Sequence, residues 1–266
     1  MKRLLTTLIS SLFVLTASAQ LYHPGEELEY RVSYRAKYFP NTEIGSVEVK
    51  TEKVDFEGKP HYRVIGVGRT LPTYRWFFNM EDTYTIHVDP TTNRTAHFRS
   101  DLIEGSYTFE STYRYDWDRM QVSSRWSSRK RPFKEKEQTL TDQSMDAISL
   151  FFNMRSAKAE DLEEGGVGTL ELVLEDTIRH VKYRYLGREV KKIKNLGRFN
   201  TLKFRCKIAT SDGYAFQDGT EFEVWISDDR NKIPLYIKSP IKVGSVQAYL
   251  SSYEGLPYPL DSFIKK

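Results

Sequence analysis

Polar side chains that could bind a metal are the first candidates for chemistry in this chain of 266 residues. None of the five histidines is spaced like the common metal ligands, as in His-x-His or His-Glu-x-x-His. A hairpin around the turn at 89–94 would still place His87 opposite His97, close enough to share an ion. The pattern puts no acidic residue beside this pair. We therefore expect no metal site and no cofactor.

Nucleophiles and paired carboxylates give no catalytic signature either. There is no serine elbow, and the single cysteine, Cys206, falls in an alternating apolar run that indicates a buried structural thiol. Paired acids can hydrolyse glycosides, and Asp82, Glu104 and Asp229 are the candidates for that reaction. Asp side chains also bond to turn amides, so Asp229 is equally typical of a turn. We expect no catalytic residues.

The densest aromatic segment runs from Tyr74 through Arg75, Trp76 and Phe77 to Phe78. It follows Leu71-Pro72 and therefore belongs to a connection between strands. Such a cluster either plugs a core or gates a pocket. In a gate, Arg75 would hold an anionic headgroup while the rings hold apolar surface.

Basic residues cluster between Arg119 and Lys136, and a smaller group spans 191–194. Charged residues of this kind are typical of a solvated edge strand, where they block aggregation. The alternative is a landing site for anionic lipid headgroups or acidic glycans.

Alternating apolar residues dominate the elements that would carry these side chains. Leu28, Tyr30, Val32 and Tyr34 point one way, and charged residues between them point the other. This pattern predicts an antiparallel meander with one wet and one apolar face. We expect a mainly β fold in which one large curved antiparallel sheet closes toward a half-barrel, barrel or sandwich, with one α-helix packed on it.

Two hairpin registers follow from the requirement that like faces meet. The first hairpin pairs Ile86 with Phe98 and Val88 with Ala96. The second pairs Phe222 with Ile237, Val224 with Leu235 and Ile226 with Ile233. One helix is predicted from about Gln143 to Arg155, because apolar residues recur there at helical spacing after a capping Thr141-Asp142.

The first nineteen residues have the pattern of a secretory signal peptide. Lys2 and Arg3 precede an apolar stretch too short to span a bilayer, and Ala17-Ser18-Ala19 supplies the cleavage pattern. No cysteine follows the signal, which excludes a lipid anchor of the bacterial lipoprotein type. We expect residues 1–19 to be removed and residues 20–266 to form a single β-rich periplasmic domain that is not a transmembrane protein.

Composition restricts the partners further. The formal charge of +4 falls by two when the basic start is removed, which argues against a nucleic-acid binder. With one cysteine the chain has no internal disulfide and depends on its core for stability.

Eight short motifs, in this order, carry a resemblance to a known family. They are Gly25-Glu26-x-Leu28-x-Tyr30, Gly58-Lys59-Pro60-x-Tyr62, Phe77-Phe78-x-x-Glu81-Asp82, Asp89-Pro90-x-Thr92, Glu104-Gly105-x-Tyr107, Asp146-x-x-Ser149-x-Phe151-Phe152-x-x-Arg155, the run from Val224 to Pro234, and Val243-Gly244-Ser245-Val246. The chain thereby resembles the exported bacterial family catalogued as domain of unknown function number 3108. The resemblance implies a single β-rich periplasmic domain and assigns no activity.

A looser resemblance concerns the last third of the chain. A strand ending in Trp-Ile, a polar turn and Ile-Pro-Leu-Tyr are similar to the late hairpin of periplasmic lipoprotein carriers. Those proteins are half-open barrels whose concave face holds acyl chains against a lid helix. The likeness is one of fold and assigns no function.

Together these features favour a non-enzymatic periplasmic binding protein for an amphiphilic small molecule or lipid. The predicted ligand-binding residues are Tyr30, Tyr34, Tyr74, Arg75, Trp76, Phe77 and Trp225. Two alternatives stay open: an envelope hydrolase acting on glycans, and an assembly or scaffold protein that pairs edge strands with an envelope protein partner.

Overall fold

The alternating pattern folds into a single curved sheet in the computed structural model of the chain. The structure describes residues 20–36, 39–129, 131–157, 162–208, 221–241 and 243–265, and within these ranges it has 15 strands and one α-helix. The predicted signal peptide at 1–19 lies outside the described residues.

The N-terminal half-sheet is an antiparallel meander in which each strand pairs with the next. Its strands are β1 (Glu27–Ala36), β2 (Phe39–Phe56), β3 (Lys59–Thr70), β4 (Met80–Val88), β5 (Thr95–Glu104), β6 (Tyr107–Asp116), β7 (Gln121–Ser128) and β8 (Arg131–Thr139).

The C-terminal half-sheet begins with a two-residue strand that pairs in parallel with the next strand, and the other pairs are antiparallel. Its strands are β9 (Ser144–Met145), β10 (Val167–Val173), β11 (Ile178–Ile193), β12 (Gly197–Ile208), β13 (Glu221–Ser227), β14 (Pro234–Pro240) and β15 (Ser245–Glu254). The helix α1 (Ala147–Asn153) follows β9.

The two half-sheets join at the centre, where β1 pairs with β15, and their outer edges approach each other. Gln138 on β8 donates from Nε2 to the Leu174 carbonyl at 2.8 Å, and Lys136 donates from Nζ to the Asp176 carbonyl at 2.6 Å. Side chains rather than a strand ladder therefore bridge the edges of the curved sheet. The prediction of a mainly β, antiparallel, barrel-like sheet with one packed helix is confirmed.

The apolar faces bury two clusters on the inside of the curve. One cluster includes Val64, Ile86 and Phe98 of the N-terminal half-sheet. The other includes Leu202 and Val224 of the C-terminal half-sheet. Burying one such side chain contributes roughly 1.5–3 kcal/mol, so the paired inner faces drive the sheet to curl.

The hairpin registers were predicted correctly in part. Ile86 pairs with Phe98 as expected, but a β-bulge then places Val88 opposite Thr95 instead of Ala96. In the second hairpin Val224 pairs with Ile237 rather than Leu235, and Ile226 pairs with Pro234 rather than Ile233. At Val224 the shift is two residues, and residues 235 and 237 share a face, so apolar groups stay together. A β-bulge between Trp225 and Ile226 reduces the shift to one residue at Ile226.

The helix is shorter than predicted. The predicted range starts just before β9, and α1 begins only after Asp146, whose carboxylate caps its N-terminus in place of Thr141-Asp142. A 3-10 turn, Met154–Ser156, continues the helix. Arg131, Lys134 and Lys136 of the basic cluster, which was expected at an edge or in a loop, lie on edge strand β8, where Pro132 and alternating charges discourage pairing.

Candidate functional site

An apolar cavity of ≈ 510 Å³ lies between α1 and the inner face of the C-terminal half-sheet. The helix and the following segment supply one wall, and β10 to β14 supply the other. The lining residues are Ala147, Leu150, Phe151, Asn153, Met154, Ser156, Ala157, Leu162, Leu170, Val181, Tyr183, Phe204, Cys206, Phe222, Val224 and Ile237. This described lining contains no charged residue, which is typical of a site for an apolar group.

The N-terminus of α1 is fixed by a buried polar network. Asp146 is fully buried and accepts hydrogen bonds from the backbone N–H groups of Ile148 and Ser149 at 2.9 Å each. Its second carboxylate oxygen accepts from the hydroxyls of Thr95 at 2.6 Å and Ser149 at 2.7 Å. Tyr22 in turn donates to the Ser149 hydroxyl. Burial raises the pKa of Asp146, and these donors oppose the rise.

The turn after α1 is fixed by a buried ion pair. Arg155 donates to the two carboxylate oxygens of Glu26 at 2.8 and 2.6 Å, and the side chains are 5% and 1% exposed. The guanidinium lies 4.7 Å from the centre of the Phe152 ring. Phe151, which lines the cavity, packs edge-on against Tyr30. These contacts tie α1 to the segment just before β1.

The far wall of the cavity carries the thiol that the sequence predicted to be buried. Cys206 is 9% exposed, and burial raises its pKa to about 12. The thiol is therefore neutral at pH 7 and contributes apolar surface. Among the described lining residues there is no Asp, Glu, His, Lys or Arg, so the arrangement can hold an apolar group.

The seven residues predicted to bind the ligand are not brought together at this cavity. Tyr30 is buried in the larger core cluster and donates to the Pro234 carbonyl at 2.9 Å. Tyr34 donates to the Val243 carbonyl at 2.9 Å near the β14–β15 turn. Tyr74, Arg75, Trp76 and Phe77 lie in the β3–β4 connection, where Trp76 and Phe77 are exposed.

Trp225 is the clearest difference from the predicted shared concave face. Its neighbours Val224 and Ile226 point inward, so Trp225 points to the outer face, although it is only 3% exposed. Lys191 and Lys203 cover its ring, with ammonium groups 3.6 and 4.8 Å from the ring centre. The lysine stems bury the ring on the outer face. Contact of the seven residues with a ligand stays a prediction.

Sequence reasoning missed the residues that do line the cavity. Leu150 and Met154 continue the apolar stripe of the helix, and that spacing could have identified the near wall. Cys206 was recognised as part of an alternating apolar run, but it was interpreted as a buried structural thiol. Alternation identifies an inner face and does not show whether that face is covered.

The acids considered for glycan hydrolysis have other surroundings. Asp229 closes the β13–β14 turn, where it accepts from the Asn231 backbone N–H at 2.9 Å and the Ser262 hydroxyl at 2.6 Å. Asp82 accepts from the Ile103 backbone N–H at 3.3 Å. Burial, and then the nearby charge of Glu104, raises the pKa of Asp82 to about 6. Neither Asp82 nor Glu104 lines the cavity beneath α1.

The predicted pairing of His87 with His97 is confirmed, and the ring of Phe56 stacks on His87 with 3.9 Å between ring centres. Among the described residues, no group of three or more His, Cys, Asp or Glu side chains is arranged to hold a metal ion. No helix in the described ranges has both the length and the apolar character needed to cross a membrane.

Comparison with known proteins gives a family and a fold. The family model described as "Protein of unknown function (DUF3108)" matches residues 29–251. No curated protein sequence matches the chain. Among solved structures, a β-barrel-like protein of the domain of unknown function DUF1849 from Brucella abortus is similar, with a TM-score of 0.58 and 10% identity. That match covers 88% of this chain and 98% of the other.

A second solved structure is a proposed lipoprotein from Parabacteroides distasonis. It matches with a TM-score of 0.36 and 8% identity, over 88% of this chain and 98% of that chain. At these identities the first neighbour supports the β-barrel-like fold alone, and the second supports no further conclusion.

Proposed function

The chain belongs to the DUF3108 family, and we propose that it is a non-enzymatic periplasmic binding protein that holds the apolar part of an amphiphilic molecule in the cavity beneath α1. The observation that carries this proposal is the cavity itself, about 510 Å³ in volume with an uncharged described lining. Apolar pockets of that size are typical of small-molecule sites. The signal-peptide pattern of residues 1–19 supports export. In a cell envelope, the acyl chains of lipids are the most abundant apolar groups.

The free energy available from such a ligand is sufficient for useful affinity. A chain of roughly fifteen methylenes gains about 12 kcal/mol when it leaves water, at ~0.8 kcal/mol for each CH₂. If association costs about 4 kcal/mol, about 8 kcal/mol remain, which corresponds to a micromolar dissociation constant. The anchors of α1 support this estimate, because a wall that is already fixed adds little ordering cost.

The two alternative functions have weaker support. A glycan hydrolase needs two carboxylates at an open groove. Of the candidate acids, Asp229 is committed to a turn, and Asp82 and Glu104 lie away from the cavity. One edge that such a scaffold could pair is β8, whose charges and Pro132 oppose strand addition. The proposed partner is therefore a small amphiphile or lipid rather than a glycan or another envelope protein.

A matched pair of substitutions on β10 tests the proposal. Leu170 lines the cavity, while Val167, at the start of the strand, is 71% exposed. Leu170→Trp should fill the cavity and weaken binding of a fluorescent fatty acid by at least about tenfold, since it removes the space for several methylenes. Val167→Trp makes the same type of change outside the cavity and should leave the affinity unchanged.

Native mass spectrometry of the protein purified from its own envelope provides an independent measurement. We expect a bound amphiphile on the wild type and on Val167→Trp, and a smaller bound fraction on Leu170→Trp. Equal probe affinity of the three proteins, or no binding to the wild type, would refute the proposal.

A further inference from the structure

Three consecutive aromatic side chains are exposed in the connection between β3 and β4. Trp76 is 83% exposed, Phe77 80% and Phe78 47%. Leaving such large apolar rings in water is costly, and adjacent exposed rings mark a contact surface more often than a single one does. They are termed the aromatic segment below.

The backbone of the aromatic segment is well fixed. The 3-10 turn Pro72–Tyr74 precedes it, and the N–H groups of Phe77 and Phe78 each donate to the Tyr74 carbonyl at 3.0 Å. Arg75 donates from Nε to the Thr70 carbonyl at 3.3 Å. The fold therefore holds the rings outward as a preformed surface.

Neighbouring connections extend this surface. The β5–β6 hairpin adjoins the aromatic segment through a hydrogen bond from the Gly105 N–H to the Asn79 carbonyl at 2.6 Å. That hairpin carries Ile103 and Tyr107, which are 43% and 46% exposed. The same end of the sheet, termed the distal end, also carries the β7–β8 turn, where Arg129 is exposed.

The charges at the distal end fit an anionic surface. Arg75 and Arg129 are exposed there. Of the nearby acids, Glu81 is paired with Arg69 at 3.4 Å, and Asp82 is buried. Glu81, Glu104 and Glu221 are exposed at this end as well, so the attraction is local to Arg75 and Arg129, and the apolar rings carry most of the expected affinity.

The cavity lies toward this same end. The lining residues of β11 and β12, which include Tyr183 and Cys206, occupy the half of each strand that lies nearer the distal end. On β13 the lining residues Phe222 and Val224 occupy the first half of the strand, which the register again places toward the distal end. The cavity therefore lies in the half of the C-terminal half-sheet that is nearer the distal end.

We propose that the distal end docks on a lipid bilayer, with Trp76 and Phe77 inserted at the interface and the cavity facing the membrane. Trp is enriched at membrane–water interfaces because its ring is apolar and its N–H is polar, and basic residues add attraction to anionic headgroups. The role of this docking, the transfer of an amphiphile between membrane and cavity, rests on the proposed function. The docking itself depends only on the surface.

Vesicle co-sedimentation tests the docking. The full chain is expressed, and the protein is purified as the cell processes it. It is then mixed with phosphatidylcholine vesicles or with vesicles that contain phosphatidylglycerol. We expect binding to both and stronger binding to the anionic vesicles. The double variant Trp76→Ser/Phe77→Ser should lower the partition coefficient at least about tenfold, because two rings lose their burial in the interface.

The matched control is Val167→Ser, which removes an exposed apolar side chain at the opposite end of the sheet and should leave the partition coefficient unchanged. Vesicle binding by the double variant that equals wild type, or no binding by the wild type, would overturn the docking proposal. If the wild type binds vesicles but does not bind the fluorescent fatty acid, the proposed function is overturned and the docking proposal is not. The two proposals can therefore fail separately.

Discussion

The buried ion pair between Arg155 and Glu26 should control both the stability of the fold and the position of α1. Arg155→Met keeps much of the side-chain volume but leaves the Glu26 carboxylate 1% exposed without its cation. Removing one partner of a buried pair costs about 3–5 kcal/mol, and the lost contact with Phe152 adds about 1 kcal/mol. Because domains are stable by about 5–15 kcal/mol, this is a large fraction of the total.

Guanidinium unfolding at pH 7, followed by circular dichroism, measures this loss as a lower midpoint at constant slope. The double variant Glu26→Gln/Arg155→Met leaves no buried charge unpaired and should be at least about 2 kcal/mol more stable than Arg155→Met. Arg114→Met is the control, because Arg114 and Glu57 pair at the same 2.8 Å but are 65% and 58% exposed. That substitution should leave the midpoint unchanged.

Two results would refute this reasoning. If Arg155→Met lies within about 1 kcal/mol of the wild type, water reaches Glu26 and the pair acts like a surface pair. If the double variant is as unstable as Arg155→Met, the loss comes from the packing of the arginine stem rather than from an uncompensated charge.

Two further predictions concern protonation. The folded state holds the proton of Asp82 with a pKa of about 6, against an ordinary value of about 3.9, so wild-type stability falls as the pH rises through this window. Asp82→Asn should therefore be more stable than the wild type by about 1–2 kcal/mol at pH 7 and as stable as the wild type near pH 4. Urea unfolding at both pH values measures this difference. Equal stability of the two proteins at both pH values would contradict the raised pKa. Because burial raises the pKa of Cys206 to about 12, iodoacetamide at pH 8 should label it only after unfolding, and rapid labelling of the native protein would show that water fills the cavity.

The fold could be predicted because its main signal is local. Period-two alternation assigns each side chain to a face, and burying one face of a long meander requires the sheet to curve. The pairing of strands carries less of that signal. At Val224 the β13–β14 hairpin shifted by two residues because positions 235 and 237 lie on the same face, and the long turn held by Asp229 sets the register instead.

The candidate site was harder to predict because it depends on contacts between distant segments. Val224, Trp225 and Ile226 are apolar at consecutive positions, which is typical of a strand buried on both faces. Lys191 and Lys203 cover the outer face, so the most prominent aromatic residue lies away from the cavity. The position of α1 determines which part of the inner face stays open. That position is fixed by hydrogen bonds to residues more than one hundred positions away in the sequence.

The polar anchors of α1 explain why a cavity persists beside it. The partners of its anchoring side chains, namely Thr95, Tyr22 and Glu26, belong to the N-terminal half-sheet and the segment before β1. On its other side α1 presents Leu150 and Met154 to the C-terminal half-sheet, where only non-directional contacts could draw it inward.

Closing the cavity would require the helix to move away from these anchors. That movement would take the Thr95 hydroxyl away from Asp146 and would leave the buried Glu26 carboxylate without its Arg155 donors, at a cost of several kcal/mol that the burial of a few apolar side chains does not offset. The same ion pair that stabilises the fold therefore keeps the proposed site open. Arg155→Met, studied under conditions where it is still folded, should bind the fatty-acid probe more weakly than the wild type. Unchanged affinity would mean that the shape of the cavity is independent of these anchors.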